Sequence, residues 1–420
     1  MTPGARIREF ERFAARLAPD RPAAFVLGAD RAHGLAITRS LGRRGIPLVL
    51  LGTAGTPGMC SRYGFPVPVD GVAAAELPDL LTRLGSRLPT RAVLLPTTDA
   101  RVLLVARNAN RLHPYYRFSL APLEVLEDLA DKRTQYRLAD RLGIPVPRTA
   151  VPSDPRQLNR IAEEIGFPCV LKPAYSDEWA PTRARHGPRT PLTKAILATT
   201  REELRAGYQR LAATTRGIVV QAFVEGGADG LFAVYAYCDR EGEASARFIR
   251  REVRDWPVDF GSGSYSKSVA DPEIESLART LLAGTRYRGL ANIEFKRDAR
   301  DGKPRLIEFN VRGASQMALA IDSGVDLPYA AYADATGLND ASAASGGQRT
   351  GLRWIDFGTD LLSAREHRRR GEAGLRHWLG DVFRARSFAY FAADDLRPVL
   401  ARTVELARGA LPALSVSNGG

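Results

Sequence analysis

Along the chain the apolar positions change period several times, and each change marks an element. In "AAFVLGADRAHGLAITRSLGRRGIPLVLLG", residues 23 to 52, a continuous apolar run, a glycine-containing turn, a helical pattern and a second apolar run predict strand, helix and strand, the opening of a parallel α/β sheet. "AVLLPTTDARVLLVARNA" repeats the strand-to-helix junction, with Thr97, Thr98 and Asp99 at the helix start just beyond the carboxyl end of a strand. From about residue 121 the pattern differs. "APLEVLEDLADKRTQYRLADRLGIPVPRTAVP" predicts two helices stopped by glycine and prolines, and "GFPCVLKPA" a short buried strand with Lys172 near its end. A polar loop, "YSDEWAPTRARHGPRTPL", precedes strand "TKAILAT", helix "TREELRAGYQRL" and strand "GIVVQAFVEGG", a compact α+β unit. Strands "FAVYAYC" and "ARFIRREVRDW" then lead through the Gly- and Ser-rich "FGSGSYSKS" to a helix. Two short runs, "NIEFK" and "LIEFN", follow as a hairpin.

That hairpin carries the first chemical signal. Strict alternation places Ile293, Phe295, Ile307 and Phe309 on one face and Glu294, Lys296, Glu308 and Asn310 on the other. A connecting loop with an odd number of residues, such as Ala299 to Lys303, sets Glu294 directly opposite Glu308, with Asn310 one step along. Facing carboxylates repel unless a proton or a cation lies between them. Two carboxylates and an amide oxygen suit a hard cation such as Mg²⁺; a solvated edge hairpin with an acidic face is the plain alternative.

Composition narrows the classes. A chain of 420 residues exceeds one ordinary core, so two or three domains are expected. Three distant cysteines and five scattered histidines give neither a disulfide framework nor zinc-ligand spacing, and the amphipathic start lacks a signal peptide's layout; a cytoplasmic protein with no membrane partner is expected. The net charge of +13 is spread along helices beside acids, with one dense cluster at "REHRRRGEAGLRHW", read as a solvated helix face ahead of a nucleic-acid surface. Within that charge, 54 of 60 basic residues are arginine, so each of the six lysines marks a place for a compact ammonium. Three of them lie between residues 132 and 194.

With Lys132, "VLKP", "VVQAFVEG", "IEFK" and "IEFN" in this order, the chain resembles the ATP-grasp superfamily of carboxylate–amine ligases over roughly residues 22 to 330, and in layout the branch similar to D-aspartate ligases. The resemblance implies a parallel α/β pre-ATP-grasp domain over 1–121 (with 1–21 an extension), an ATP-grasp domain over 122–335 with a lid subdomain at about 146–222, and a helical C-terminal extension over 336–420. It implies that ATP is clasped between the lid and a larger sheet. Lys132 and Lys172 would lie on the phosphates, with Lys194 a weaker candidate. The Gln221–Ala222–Phe223–Val224 segment would read adenine through backbone groups, and Asp229 the ribose. Where many members carry an acidic residue this chain has Ala222, so only backbone recognition carries over. Glu294, Glu308 and Asn310 match the ligands of Mg²⁺, with Mn²⁺ as substitute. Arg312 would meet the substrate carboxylate or the transferred phosphoryl group, and Arg254 would bind a substrate carboxylate. The lid loop lacks the glycine-rich run of many members, leaving Ser176 and the loop arginines to contact phosphate. The implied reaction joins a small carboxylate to an amine through an acyl phosphate, releasing ADP; the partners are small molecules, with a homodimer permitted. The rival expectations are an acceptor other than an amine and a nucleic-acid-associated protein that uses ATP only as a ligand.

Overall fold

A computed structural model describes residues 3–178, 194–338, 347–372 and 375–414. The amino-terminal sheet has five parallel strands in the order β3-β2-β1-β4-β5, formed by β1 (Ala24–Leu27), β2 (Leu48–Gly52), β3 (Phe65–Pro68), β4 (Ala92–Pro96) and β5 (Tyr116–Arg117). Its central strands are continuous apolar runs because helices cover both faces. A four-stranded antiparallel unit follows in the order β6-β9-β7-β8, from β6 (Thr149–Ala150), β7 (Cys169–Pro173), β8 (Ile196–Ala198) and β9 (Ile218–Ala222).

The central sheet has seven strands in the order β14-β13-β10-β11-β12-β15-β16. They are β10 (Leu231–Cys238), β11 (Ala244–Trp256), β12 (Ser262–Ser268), β13 (Gly289–Arg297), β14 (Pro304–Asn310), β15 (Arg353–Ile355) and β16 (Ser387–Phe388). Alternation along β10 feeds two cores. Phe232, Val234 and Ala236 pack with Ile274, Ala278 and Leu281 of the helix Pro272–Thr285, while Ala233, Tyr235 and Tyr237 join a core with the helices Ala32–Arg43 and Leu327–Thr336. Those helices cover only part of the second face. The rest of it forms the floor of a cleft beneath the four-stranded unit.

Three features differ from the sequence expectation. The Gly- and Ser-rich passage is not a connection but β12, an internal strand paired with β11 and β15. Its alternating Ser264, Ser266 and Ser268 are buried, with Ser264 donating to Asp360 at 2.9 Å and Ser266 accepting from Arg250 at 3.4 Å, so small polar residues fill a strand that apolar patterning does not reveal. The carboxyl-terminal segment is not wholly helical, since it supplies β15 and β16 to the central sheet. In the hairpin the loop 298–303 has an even number of residues, because Arg297 pairs with Pro304. A one-residue bulge beyond Phe295–Leu306 then restores the pairing of Glu294 with Glu308. Leu306, not Ile307, takes the core position beside Ile293 and Phe295, and Ile307 turns to the cleft.

Candidate active site

The cleft encloses about 540 Å³ between the four-stranded unit and the open part of the central sheet. Register orders its floor: Glu308 on β14 faces Glu294 on β13, Glu294 pairs with Ala233 on β10, and Ala233 with Arg250 on β11. Strands about 4.8 Å apart therefore place a carboxylate pair and a guanidinium in one row, separated by the small side chain of Ala233.

The helix Lys132–Arg141 is fastened to the bulged strand. Gln135 accepts from the Phe309 amide at 3.0 Å and donates to its carbonyl at 2.9 Å, and the Tyr136 hydroxyl donates to the Ile307 carbonyl at 2.5 Å. This anchoring brings Lys132, the first residue of the helix, to Glu308, with Nζ 2.7 Å from Oε1. Ser176 Oγ also donates to Glu308 Oε1, at 2.5 Å, while accepting from Lys132 Nζ at 2.7 Å. Burial would raise the Glu308 carboxyl, but Lys132 and Lys194 outweigh it and hold the group well below the usual carboxylate range.

Lys172, on β7, is buried and donates to Gln221 Oε1 of β9 at 3.1 Å. Burial, reinforced by the charge of Lys132, lowers it to about 8, so it remains a cation at neutral pH. Lys194 also lines the cleft; desolvation opposes the attraction of Glu294, Glu308 and Glu252, which win and raise it. Arg312 donates to Asp99 at 3.0 Å and to Asn310 Oδ1 at 3.1 Å, and Asp99 also accepts the Val311 amide at 3.0 Å. The strand-to-helix junction of the amino-terminal sheet thus holds the cleft arginine. The glycine-containing turn after β1 meets this junction: His33 Nδ1 lies 3.1 Å from the Thr97 carbonyl, and Thr97 Oγ1 donates to the Gly28 carbonyl at 2.8 Å. Neither loop is among the residues lining the main cleft.

The structure brings Lys132, Lys172, Lys194, Gln221, Ala222, Phe223, Val224, Glu294, Glu308, Asn310 and Arg312 to one cleft. Two expected residues lie elsewhere. Arg254 is not a free carboxylate binder: the register breaks between Glu252 and Arg254, and the guanidinium is taken by buried Asp360, at 3.0 Å from both Nε and Nη2, and by Asp381 at 2.7 Å. Asp229 is not a cleft residue either; its exposed carboxylate pairs with Arg251 at 2.7 Å. The lid loop beyond Glu178, with its arginines, lies outside the described residues up to Lys194.

Sequence reasoning missed Arg250 and Glu252. Both are buried and joined at 2.8 Å, and Arg250 Nε donates to the Tyr235 hydroxyl at 2.6 Å, which donates to Gln316 at 3.0 Å. Burial pushes the Glu252 carboxyl up to about 7, with Asp255 adding to the rise and Arg250 opposing it. The alternation of Phe248, Arg250 and Glu252 within "RFIRREVRDW" is the signal that marks them as one face.

The donor set of Glu294, Glu308 and Asn310 is all hard oxygen and fits a divalent cation that completes its shell from a ligand. Beside it, Asn292 donates to Glu294 at 3.1 Å, while its own buried Oδ1 has no hydrogen-bond partner among the described residues. Among those residues no cluster of three or more His, Cys, Asp or Glu side chains could hold a metal ion.

A family model described as "ATP-grasp in the biosynthetic pathway with Ter operon" matches residues 238–356. The chain is similar to a D-aspartate ligase of Enterococcus faecium, 24% identical over 242 residues, covering 56% of each chain. It is also similar to a D-alanine–D-alanine ligase of Cupriavidus necator, 26% identical over 195 residues, covering 43% of this chain and 53% of that one. It therefore spans little more than half the length of these relatives. Among solved structures it resembles the biotin carboxylase of Campylobacter jejuni, with a TM-score of 0.62, 13% identity, and coverage of 80% of this chain and 75% of that one. The chain is thus similar in sequence to ATP-grasp ligases over part of its length and shares the fold of ATP-grasp enzymes.

Proposed function

We propose that the protein is an ADP-forming ligase that joins a small carboxylate to an amine through an acyl phosphate, with ATP and Mg²⁺ bound in the cleft. The observation that carries this reading is the floor of the cleft, where the Glu294–Glu308 pair is surrounded by Lys132, Lys172, Lys194 and Arg312. Such a site can bind a metal–polyphosphate and offset charge during phosphoryl transfer, with positioning and electrostatics as the main catalytic means. Residues 221–224 hold the base, Lys132 and Lys172 the phosphates, and Arg312 the carboxylate or the transferred group. Glu294, Glu308 and Asn310 would hold Mg²⁺, which supplies Lewis-acid neutralisation of the phosphate oxygens when bound. Arg250, which lines the cleft where Arg254 does not, takes the carboxylate-binding role expected of Arg254. The described cysteines, Cys60, Cys169 and Cys238, are unpaired, which accords with a cytoplasmic location; no described helix is long and apolar enough to cross a membrane.

Interception of the activated carboxylate tests the reading. A panel of α-amino acids and dicarboxylates is incubated with Mg²⁺–ATP and hydroxylamine. One class of carboxylate is expected to give hydroxamate and ADP together, with both products falling at least about a hundredfold in Lys172→Met. Release of AMP and pyrophosphate would mean adenylate chemistry and overturn the proposal.

A further inference from the structure

Each residue of the expected metal set has one oxygen held by the protein itself. Glu308 Oε1 takes Lys132 Nζ at 2.7 Å and the Ser176 hydroxyl at 2.5 Å, Glu294 takes the Asn292 amide at 3.1 Å, and Asn310 takes Arg312 at 3.1 Å. The three groups of the first cluster come from three places: Ser176 follows β7 of the four-stranded unit, Lys132 opens a helix, and Glu308 belongs to the central sheet. Lys132 and Glu308 have side chains only 6% and 13% exposed, so salt and solvent screen their attraction little. This contact offsets the repulsion between the facing carboxylates. It also sets a condition for metal entry, because a bare divalent cation must approach Lys132, Lys194 and Arg312 and displace the Lys132 ammonium from Glu308. A metal–triphosphate complex carries net negative charge and brings that anion with it.

We propose that Lys132 and Ser176 cap Glu308 in the empty protein and release it to the metal only when a polyphosphate draws the Lys132 ammonium away, which makes the metal site dependent on nucleotide. The proposal rests on the reading of the cleft as an ATP site and adds its order of assembly: metal enters with the nucleotide, not before it. The cap is also the point at which the four-stranded unit touches the metal set, so exchange at Glu308 frees Ser176 from the central sheet.

Mn²⁺ binding, followed by electron paramagnetic resonance with and without ATP, tests this without any turnover. The wild-type protein is expected to bind Mn²⁺ at least about tenfold more tightly when ATP is present. Lys132→Met, which keeps the stem and removes the charge, should tighten Mn²⁺ binding in the absence of ATP by about tenfold while weakening Mn²⁺–ATP, and adding Glu308→Gln should abolish that gain. Ser176→Ala should shift metal-only binding in the same direction by a smaller factor, and keeps the test decisive if Lys132→Met does not fold. Equal Mn²⁺ affinity with and without ATP in the wild type, or no gain in metal-only affinity in either variant, overturns the proposal. Equilibrium dialysis with labelled ATP separates the two levels: wild type that takes up no ATP refutes the functional reading itself, whereas ATP uptake with tight ATP-independent Mn²⁺ binding refutes only the cap.

Discussion

Single residues show which chemistry can be read from composition and which cannot. Lysine scarcity pointed to Lys132, Lys172 and Lys194, and all three line the cleft, as does Lys296. Arginine offered no such contrast, so Arg254 and Arg250 looked alike in sequence. What separates them is that Asp360 and Asp381, 106 and 127 positions further along, claim the Arg254 guanidinium, a fact no local pattern contains. His33 is a second case. It is 6% exposed with Nε2 unpartnered among the described residues, and burial, with the nearby charge of Arg312, lowers it from 6.5 to about 3 while the Thr97 carbonyl opposes the shift. Above pH 6.5 the imidazole is neutral in both folded and unfolded chains and the shift has no effect. As pH falls from 6.5 toward about 3 the unfolded chain takes up a proton that the folded one refuses, so stability declines. The slope approaches about 1.4 kcal/mol per pH unit. In His33→Asn, whose amide can still donate to Thr97, the loss between pH 7 and pH 5 in urea unfolding should be smaller than in wild type by about 2 kcal/mol. Parallel losses in the two proteins would show that His33 accepts its proton without disturbing the fold.

Elements were legible where period and length agreed, and less so where a bulge or a polar strand intervened. The helix Ala32–Arg43 and strands β1 and β7 fall within their predicted segments, and β10 and β13 contain theirs and extend beyond them. The hairpin gave the right pairing of glutamates by the wrong count, since an even loop and a bulge replace an odd loop, and the sequence alternation of Ile307 with Phe309 concealed the extra residue. The structure implies that register, not the bulge, is what the site requires. Deleting Ile307 leaves Leu306 in the core and Glu308 facing Glu294, at the cost of the Tyr136 contact to the Ile307 carbonyl. The deletion variant is therefore expected to fold and to keep ATP-dependent Mn²⁺ binding within about tenfold of wild type, since a net hydrogen bond contributes about 1 kcal/mol. A folded variant without that binding would show that the Tyr136 anchor, rather than strand pairing, positions Glu308.

At the scale of the molecule the carboxyl-terminal segment does what its composition does not announce. It adds β15 and β16 to the central sheet, neutralises Arg254 from within, and returns to the amino-terminal sheet through Asp394 and Asp395. Those adjacent aspartates are indistinguishable in sequence and opposite in setting. Asp395 is buried, accepting Arg39 Nε at 3.1 Å, the Ser61 hydroxyl at 2.8 Å and the Arg62 amide at 3.0 Å. Asp394 has a side chain 41% exposed and pairs with Arg43 and Tyr63 at the surface. Removing one member of a buried pair leaves the other charge unpaired, which costs about 3–5 kcal/mol, whereas an exposed pair contributes about 0–1 kcal/mol. Arg39 keeps the carbonyls of Tyr390 and Asp395 as partners in the variant, which places Asp395→Ala near the lower end, at about 3 kcal/mol. Asp394→Ala should cost about 1 kcal/mol or less, although its carboxylate makes short contacts too. Chemical denaturation of the two variants under one buffer decides the matter. Equal and small losses would mean that the return of the chain to the amino-terminal domain bears no weight in the fold; a large loss confined to Asp395 would show that the amino-terminal and central sheets are held together by a segment more than 330 residues from Ser61 and Arg62.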